Sequence, residues 1–195
     1  MTVNDVVLAA VAGGMRAWLA HRRLPDQGIR AQVPVSLHAS GGDDDAANRD
    51  SYFFVDLPVR ESGMAERLLA VNRQTVERKR LHEAEALYAA TLRPGVARRA
   101  MSPRVFTLSV SNVPGPREDV YVLGARLCEL YSLAEIAQHH ALRVAVVSAA
   151  DALFFGLCAD RDVVDDVDVI ADGIGASLLE LVSRERVRED SNLTS

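Results

Sequence analysis

Phe106-Thr107-Leu108-Ser109-Val110-Ser111-Asn112-Val113-Pro114-Gly115-Pro116 changes character halfway along its length. Phe106, Leu108 and Val110 alternate with Thr107, Ser109 and Ser111, the period of a strand with one apolar face. Pro114-Gly115-Pro116 then stops it, because two of its residues lack an amide donor and the glycine between them is free to take positive φ. The last polar side chains before the stop, Ser111 and Asn112, are thereby expected at the rim of a sheet. Rims are where open α/β sheets hold ligands. A plain strand end with an Asn turn satisfies the same local pattern.

Working outward, the chain has 195 residues, enough to bury roughly 70% of its unfolded surface without disulfide staples. Its formal charge of −5 and lack of a basic stripe with interleaved aromatics exclude a nucleic-acid binder. Cys128 and Cys158 sit in apolar runs and read as buried free thiols in a reducing compartment. No uninterrupted apolar run of transmembrane length occurs, and the N-terminus has neither a basic segment nor a cleavage site, so no membrane span or secretion signal is expected. Lys79 is the only lysine, which fits an arginine-favouring, GC-rich bacterial genome.

In chain order, Thr2 to about Arg22 predicts a helix that starts with no element before it, with Thr2 and Asp5 spaced for a capping box. Gly13-Gly14 in its middle costs roughly 1 kcal/mol per glycine, so a close packing partner is expected there. Ile29 to Leu37 reads as a strand that Pro34 places at a sheet edge or a bulge. His38 to Asp50 reads as a solvated loop, and its aspartate run lacks the ligand spacing of a calcium loop. Ser51 to Val59 is a second strand. Met64 to about Arg80 is amphipathic, with Met64, Leu68, Val71, Thr75 and Val76 on the apolar face and Glu66, Arg67 and Arg73 opposite. Leu81 to Leu92 continues as a kinked helix, and a short helix follows Pro94. Strands are expected at 105–112, 119–123, 125–131 and 142–149, then a fifth at 152–159 in a hairpin about Ala150-Asp151. Asp165 to about Arg188 is a last helix, and 189–195 a polar tail. The pattern predicts one α/β domain over 1–188, a mixed β-sheet with packed helices.

Catalytic groups are scarce. His139-His140 are sequence neighbours, which point to opposite sides of an extended segment, and they precede an apolar strand. Ser36 and His38 lack a third partner for a triad. No glycine-rich phosphate loop and no metal-ligand spacing is present. No catalytic residue and no metal site is therefore assigned.

Ser111-Asn112-Val113-Pro114-Gly115-Pro116 followed by Tyr121-Val122-Leu123-Gly124-Ala125 resembles the C-terminal half of the bacterial wax ester synthase/diacylglycerol acyltransferase family. Asn4-Asp5 at the head of the first helix, Val33-Pro34-Val35-Ser36-Leu37, Asn48 and Leu57-Pro58-Val59 resemble further motifs of that family in order. So do Gly156-Leu157-Cys158-Ala159-Asp160 and Val164-Asp165-Asp166. The resemblance implies a half of the CoA-dependent acyltransferase fold. It implies acyl-CoA as a substrate of the complete enzyme, with no separate cofactor, and diacylglycerol or a long-chain alcohol as acceptor. The family's general base lies in a His-His-x-x-x-Asp-Gly motif of the N-terminal half. Here His139-His140 is followed by Val144-Ala145 where Asp-Gly would stand, so the pair is not a copy of that motif. The family's Ser-Tyr-x-Gly strand end is Ser148-Ala149-Ala150-Asp151 in this chain, a departure that touches a tunnel wall and a turn.

On this basis Asn4, Asp5, Ser111, Asn112, Pro114 and Gly115 are expected to support a site or line a substrate tunnel. For Asn4 and Asp5 a purely structural role, capping a helix and bonding a loop, is the competing reading. The expected partner is a separate N-terminal acyltransferase half, or a second copy through an exposed apolar face. The resemblance implies a cytoplasmic protein working at a membrane or lipid-droplet surface. Two functions stay open: the C-terminal half of an O-acyltransferase, and a non-catalytic remnant that binds lipid or a partner. A small hydrolase using Ser36 or His140 lacks the partners its chemistry needs.

Overall fold

The computed structural model describes residues 1–36, 50–93, 95–149 and 151–193. Of the loop expected over His38–Asp50, residues 38–49, with Asp43, Asp44, Asp45 and Asn48, lie outside those residues, while Asp50 belongs to a strand instead. The chain forms two compact units, one of residues 1–29, 56–75 and 166–195, the other of 30–55 and 76–165.

In the first unit, helix α1 spans Val3–His21. Its capping box is complete: the Asp5 amide donates to Thr2 Oγ1 at 3.3 Å and the Thr2 amide to Asp5 Oδ2 at 2.8 Å. Among the described helices, α1 alone is long and apolar enough to cross a membrane by length and composition, and most of it is buried inside the fold. The packing partner expected at Gly13-Gly14 is α5, Val167–Leu193. A Cβ on Gly14 would stand 2.6 Å from the Ile170 carbonyl oxygen and 2.8 Å from Ile174 Cγ1. One on Gly173 would stand 2.8 Å from Ala17 Cβ and 2.9 Å from Gly14 Cα, and one on Gly13 would overlap Ser177 Oγ. The two backbones approach where neither carries a side chain, and this offsets the helix propensity the glycines forgo.

At the other end of this contact, Trp18 Nε1 donates to Asp166 Oδ1 at 2.7 Å, and Arg22 grips both carboxylate oxygens at 2.8 Å. The Arg22 bonds, aided by Trp18, hold the Asp166 carboxyl far below the usual carboxylate range. Helix α2, Met64–Arg80, begins against α5: both Glu180 carboxylate oxygens accept from the Met64 amide at 3.1 Å. Two expectations for α2 are corrected. Val76 is exposed, and Arg67, assigned to the polar face, is 3% exposed. Its guanidinium donates to the Glu61 and Ser62 carbonyls at 3.1 and 2.7 Å and to Ser177 Oγ at 3.1 Å, with Glu180 3.8 Å away. Burial pushes that guanidinium below its ordinary pKa, the Glu180 charge opposes the shift, and the hydrogen bonds make the burial tolerable.

The second unit holds a five-stranded sheet in the order β2-β1-β3-β6-β7, where β1 is Ile29–Ser36, β2 Asp50–Leu57, β3 Leu108–Pro114, β6 Leu142–Ala149 and β7 Ala152–Ala159. Its unit boundaries fall within β1 and β2. Strand β3 is parallel to β1 and to β6, and β6 pairs antiparallel with β7, so the sheet is mixed as expected. Phe106, Leu108 and Val110 are all buried, and so is Ser109 on the opposite face. Strand β1 is interior, so of the two placements that Pro34 implied, a sheet edge or a bulge, the edge is excluded. Its ladder with β3 covers Ala31 and Gln32 and stops short of Pro34, whose nitrogen has no hydrogen to give.

The helical stretch after α2 breaks outright: His82 takes a left-handed φ of 48° and a separate α3, Glu83–Thr91, follows, then α4, Val96–Ala100. The strand expected at 125–131 reduces to β5, Ala125–Arg126, paired with β4, Tyr121–Val122, in a small hairpin of its own. Residues 127–137 have no regular secondary structure, and Cys128 is exposed where a buried thiol was expected. Cys158 is half-buried, and both cysteines are free. Helix α5 runs on to Leu193, past the expected end near Arg188.

Gly14→Ala should lower stability by about 1–3 kcal/mol, because overpacking against a backbone carbonyl exceeds the propensity gained. Gly175→Ala on α5, where a Cβ meets nothing within 4 Å, should raise it by up to about 1 kcal/mol. Urea unfolding of both variants checks this pair, and shifts of the same sign would contradict the close approach as the reason for Gly14.

Candidate functional site

The candidate residues fall into the two compact units. Asn4 and Asp5 belong to the first, and Ser111, Asn112, Pro114 and Gly115 to the second.

Asp5 is 1% exposed and saturated. Thr75 Oγ1 donates to its Oδ1 at 2.7 Å, while Asn72 Nδ2 and the Thr2 amide donate to Oδ2 at 2.9 and 2.8 Å. Burial pushes the carboxyl up, but the bonds from Thr75, Thr2 and Asn72 together outweigh it and hold it below its ordinary value. Its oxygens face donors of this fold and tie the start of α1 to α2. This is the arrangement of a structural carboxylate. Asn4 beside it is half-buried.

The second group lies along one strand end. Strand β3 does not stop at Asn112. Ser111, Asn112, Val113 and Pro114 pair with Ala145, Val146, Val147 and Ser148 of β6, so Ser111 and Asn112 sit within the ladder, short of the rim. The rim is Pro114-Gly115, where the Gly115 amide donates to the Ser148 carbonyl at 2.8 Å and adds one bond beyond the proline. Positive φ is not what Gly115 supplies: the described glycines with positive φ are Gly95 and Gly124. A Cβ on Gly115 would lie 2.8 Å from Val147 Cγ1 and 3.1 Å from Ala149 Cβ, so the residue is small because the chain passes close over β6. Asn112 Oδ1 is enclosed and meets no donor among the described residues.

Beyond this rim opens a cleft of about 420 Å³, lined by Pro116, Leu127, Cys128, Leu130, Ala149 and Phe154. Glu118, Asp119, Glu129 and Asp151 give its mouth a mostly acidic character, with Arg126 among them. The hairpin that borders it closes without a turn glycine: Ser148 pairs with Leu153 and Ala149 with Ala152. Of the departing residues, Ala149 and Asp151 place a small and an acidic side chain on the cleft. Sequence reasoning missed this cleft because its wall includes the irregular 127–130 segment. The departing Ala149 and Asp151 were the available signal.

His139 and His140 separate as expected. His139 is exposed with φ 65°, and His140 is buried and stacked on Phe106 with ring centroids 4.0 Å apart. The His140 Nδ1 lies 3.0 Å from the Gln138 carbonyl and Nε2 3.2 Å from the Phe106 carbonyl, so both ring nitrogens are occupied by the fold. Among the described residues no group of three His, Cys, Asp or Glu could hold a metal ion.

A mixed sheet of this order, with its long helices and its cleft at the β6–β7 turn, is the architecture of one half of a CoA-dependent acyltransferase-type fold. A family model described as the WS/DGAT C-terminal domain matches residues 46–182, and the chain belongs to that family. A diacylglycerol O-acyltransferase of Mycobacterium tuberculosis is 32% identical over 97% of this chain, which covers 44% of that protein. The O-acyltransferase WSD of Acinetobacter baylyi is 34% identical over 83% of the chain and 37% of its own length. Among solved structures, the wax ester synthase/diacylglycerol acyltransferase of Marinobacter aquaeolei matches with a TM-score of 0.67 and 28% identity over 93% of this chain and 43% of that one. The epimerization domain of a tyrocidine synthetase shares the fold alone, at TM-score 0.54 and 16% identity. The chain spans less than half the length of the relatives it matches.

Asp5→Ala should cost about 2–3 kcal/mol by leaving Thr75, Asn72 and the Thr2 amide without their acceptor. Because the folded carboxyl is held below its unfolded value, its contribution is complete above about pH 4 and lost as pH falls through the folded pKa. The variant should therefore show a flatter acid limb in thermal melts below about pH 4. An unchanged melting temperature with unchanged acid dependence would remove Asp5 from the frame.

Proposed function

We propose that this chain is the C-terminal part of an O-acyltransferase that moves an acyl group from acyl-CoA to diacylglycerol or a long-chain alcohol, completed by an N-terminal half that carries the general base. One observation carries the reading: the chain aligns with the C-terminal domain of the family and covers under half of each relative. In this reaction the acceptor hydroxyl attacks the thioester carbonyl as a base removes its proton, and the CoA thiol leaves with a proton returned to it. The base would come from the other half. His140, the buried histidine among the described residues, has both ring nitrogens against backbone carbonyls, which supports placing the base elsewhere. This chain would contribute the rim at Pro114-Gly115, the adjoining cleft as a wall for substrate, and a face for its partner. The protein would act in the cytoplasm at a membrane or lipid-droplet surface, where its acceptors reside.

A second reading is a non-catalytic module that binds a partner or lipid. The exposed apolar residues around Leu123 favour it.

The experiment is an acyl-transfer assay with labelled long-chain acyl-CoA and either acceptor, on the chain alone and on the chain co-expressed with the N-terminal half of the Marinobacter relative. Product from the mixture only is the expected result. Product from the chain alone would overturn the placement of the base. A stable complex without product would favour the non-catalytic module.

A further inference from the structure

We propose that the turn between α3 and α4, together with the segment that follows α4, is the surface by which this chain docks on an anionic lipid layer. The inference deepens the reading above, which places the acceptors at a lipid surface, but its test does not use the transfer reaction.

Charge distribution is the first observation. Residues 92–104 hold Arg93, Arg98, Arg99 and Arg104 and no acidic residue, in a chain of formal charge −5. Several arginines elsewhere are tied down, Arg22 by Asp166, Arg78 by Glu83, Arg80 by Glu77 and Arg126 by Asp119. Arg93, Arg99 and Arg104 are exposed and meet no carboxylate among the described residues. Arg99 and Arg104 line one open depression of about 680 Å³ with Gly95, Ser102 and Val105. Ser102 folds the chain back to bring them together. Its amide donates to the Arg99 carbonyl at 3.2 Å, its hydroxyl accepts from the Arg104 amide at 3.3 Å, and its carbonyl accepts from the Val105 amide at 2.8 Å. Two guanidinium forks on one wall suit the oxygens of a phosphate.

The second observation is apolar. After α3 the Val96 amide donates to the Arg93 carbonyl at 3.2 Å and Gly95 takes φ 82°, a tight turn. Leu92 and Val96 flank it, 70% and 36% exposed. A leucine presented beside arginines suits a lipid headgroup layer, where the apolar side chain dips beneath the phosphates that the guanidiniums meet. A free phosphate would use the depression alone and leave Leu92 in water. A lipid layer uses both, and it is therefore the occupant assigned.

The surface is distinct from the cleft. Strand β3 begins at Leu108, shortly after Arg104, and ends at the Pro114-Gly115 rim, so patch and cleft lie toward opposite ends of one strand. Substitutions at the patch leave the substrate wall as it is.

The test is flotation of the full chain with vesicles of phosphatidylcholine alone and of phosphatidylcholine with phosphatidylglycerol. The parent should float with the second and not the first, and added salt should release it. Arg99→Glu combined with Arg104→Glu should lower partitioning by about tenfold or more. The melting temperature should not move, since neither guanidinium has an ion pair to lose. Arg73→Glu combined with Arg161→Glu, at two exposed arginines elsewhere, removes the same charge and should float as the parent does. Leu92→Ser should weaken flotation while keeping its salt dependence. Equal losses in the two double variants would overturn the patch in favour of net charge. A parent that floats with neither vesicle, or equally with both, would overturn the docking. Chemical-shift changes at Arg99 and Arg104 on adding inorganic phosphate, without flotation, would replace lipid with a free phosphate. Acyl transfer by the co-expressed halves without flotation would overturn this proposal alone, and flotation as expected without transfer would overturn only the enzyme reading.

Discussion

The close approach of α1 and α5 is the constraint on which the first compact unit depends. Gly13, Gly14 and Gly173 bring two helix backbones within van der Waals reach, so no side chain larger than hydrogen fits between them. The polar ties around that contact depend on it. Asp166 at the start of α5 holds Trp18 and Arg22 at the end of α1, while further along α5 Ser177 and Glu180 hold Arg67 and the first amide of α2. A buried arginine would be expensive on its own, but with its fork filled by two carbonyls and a serine it fixes how α2 begins. Asp5 does the same from the opposite end of α1.

The second unit is organised by β3 and by the way the chain leaves it. Pairing with β1 on one side and β6 on the other makes β3 the central strand, and the Pro-Gly-Pro exit releases the chain over β6 into a region with little regular structure. That order matters for function. A parallel pair of strands, β3 and β6, ends beside a cleft, and the only hairpin of the described irregular region carries its apolar residues outward.

Much of this was legible in the sequence. The capping box at Thr2 and Asp5, the need for a partner at Gly13-Gly14, the amphipathic α2 and the β6–β7 hairpin all rest on local patterns that the fold leaves unchanged. The misreadings share one cause, a local rule overridden by a neighbour distant in sequence. Arg67 sits on the 64–68–71–75 stripe, but its charge argued it outward, and only Ser177 and the Glu61 and Ser62 carbonyls make its burial possible. Pro34 argued for an edge or a bulge, yet β1 is interior and its ladder with β3 simply ends before the proline. The apolar run near Cys128 argued for a strand, but it forms no ladder and stays exposed. The strand end itself lies further on than the sequence implied: Ser111 and Asn112 are inside the ladder and the rim is Pro114-Gly115. The cleft beyond it is built by chain segments whose meeting no local pattern encodes.

The central claim is that this sequence is one half of an acyltransferase whose general base lies in the N-terminal half, outside the residues of this sequence. Single-turnover acyl transfer by the co-expressed halves, with the second histidine of the partner's His-His-x-x-x-Asp-Gly motif replaced by alanine, tests it most directly when set beside His139→Ala in this chain. The account predicts that the partner variant falls to background while His139→Ala turns over as the parent does. Turnover that survives loss of the partner's histidine and disappears with His139→Ala would contradict it.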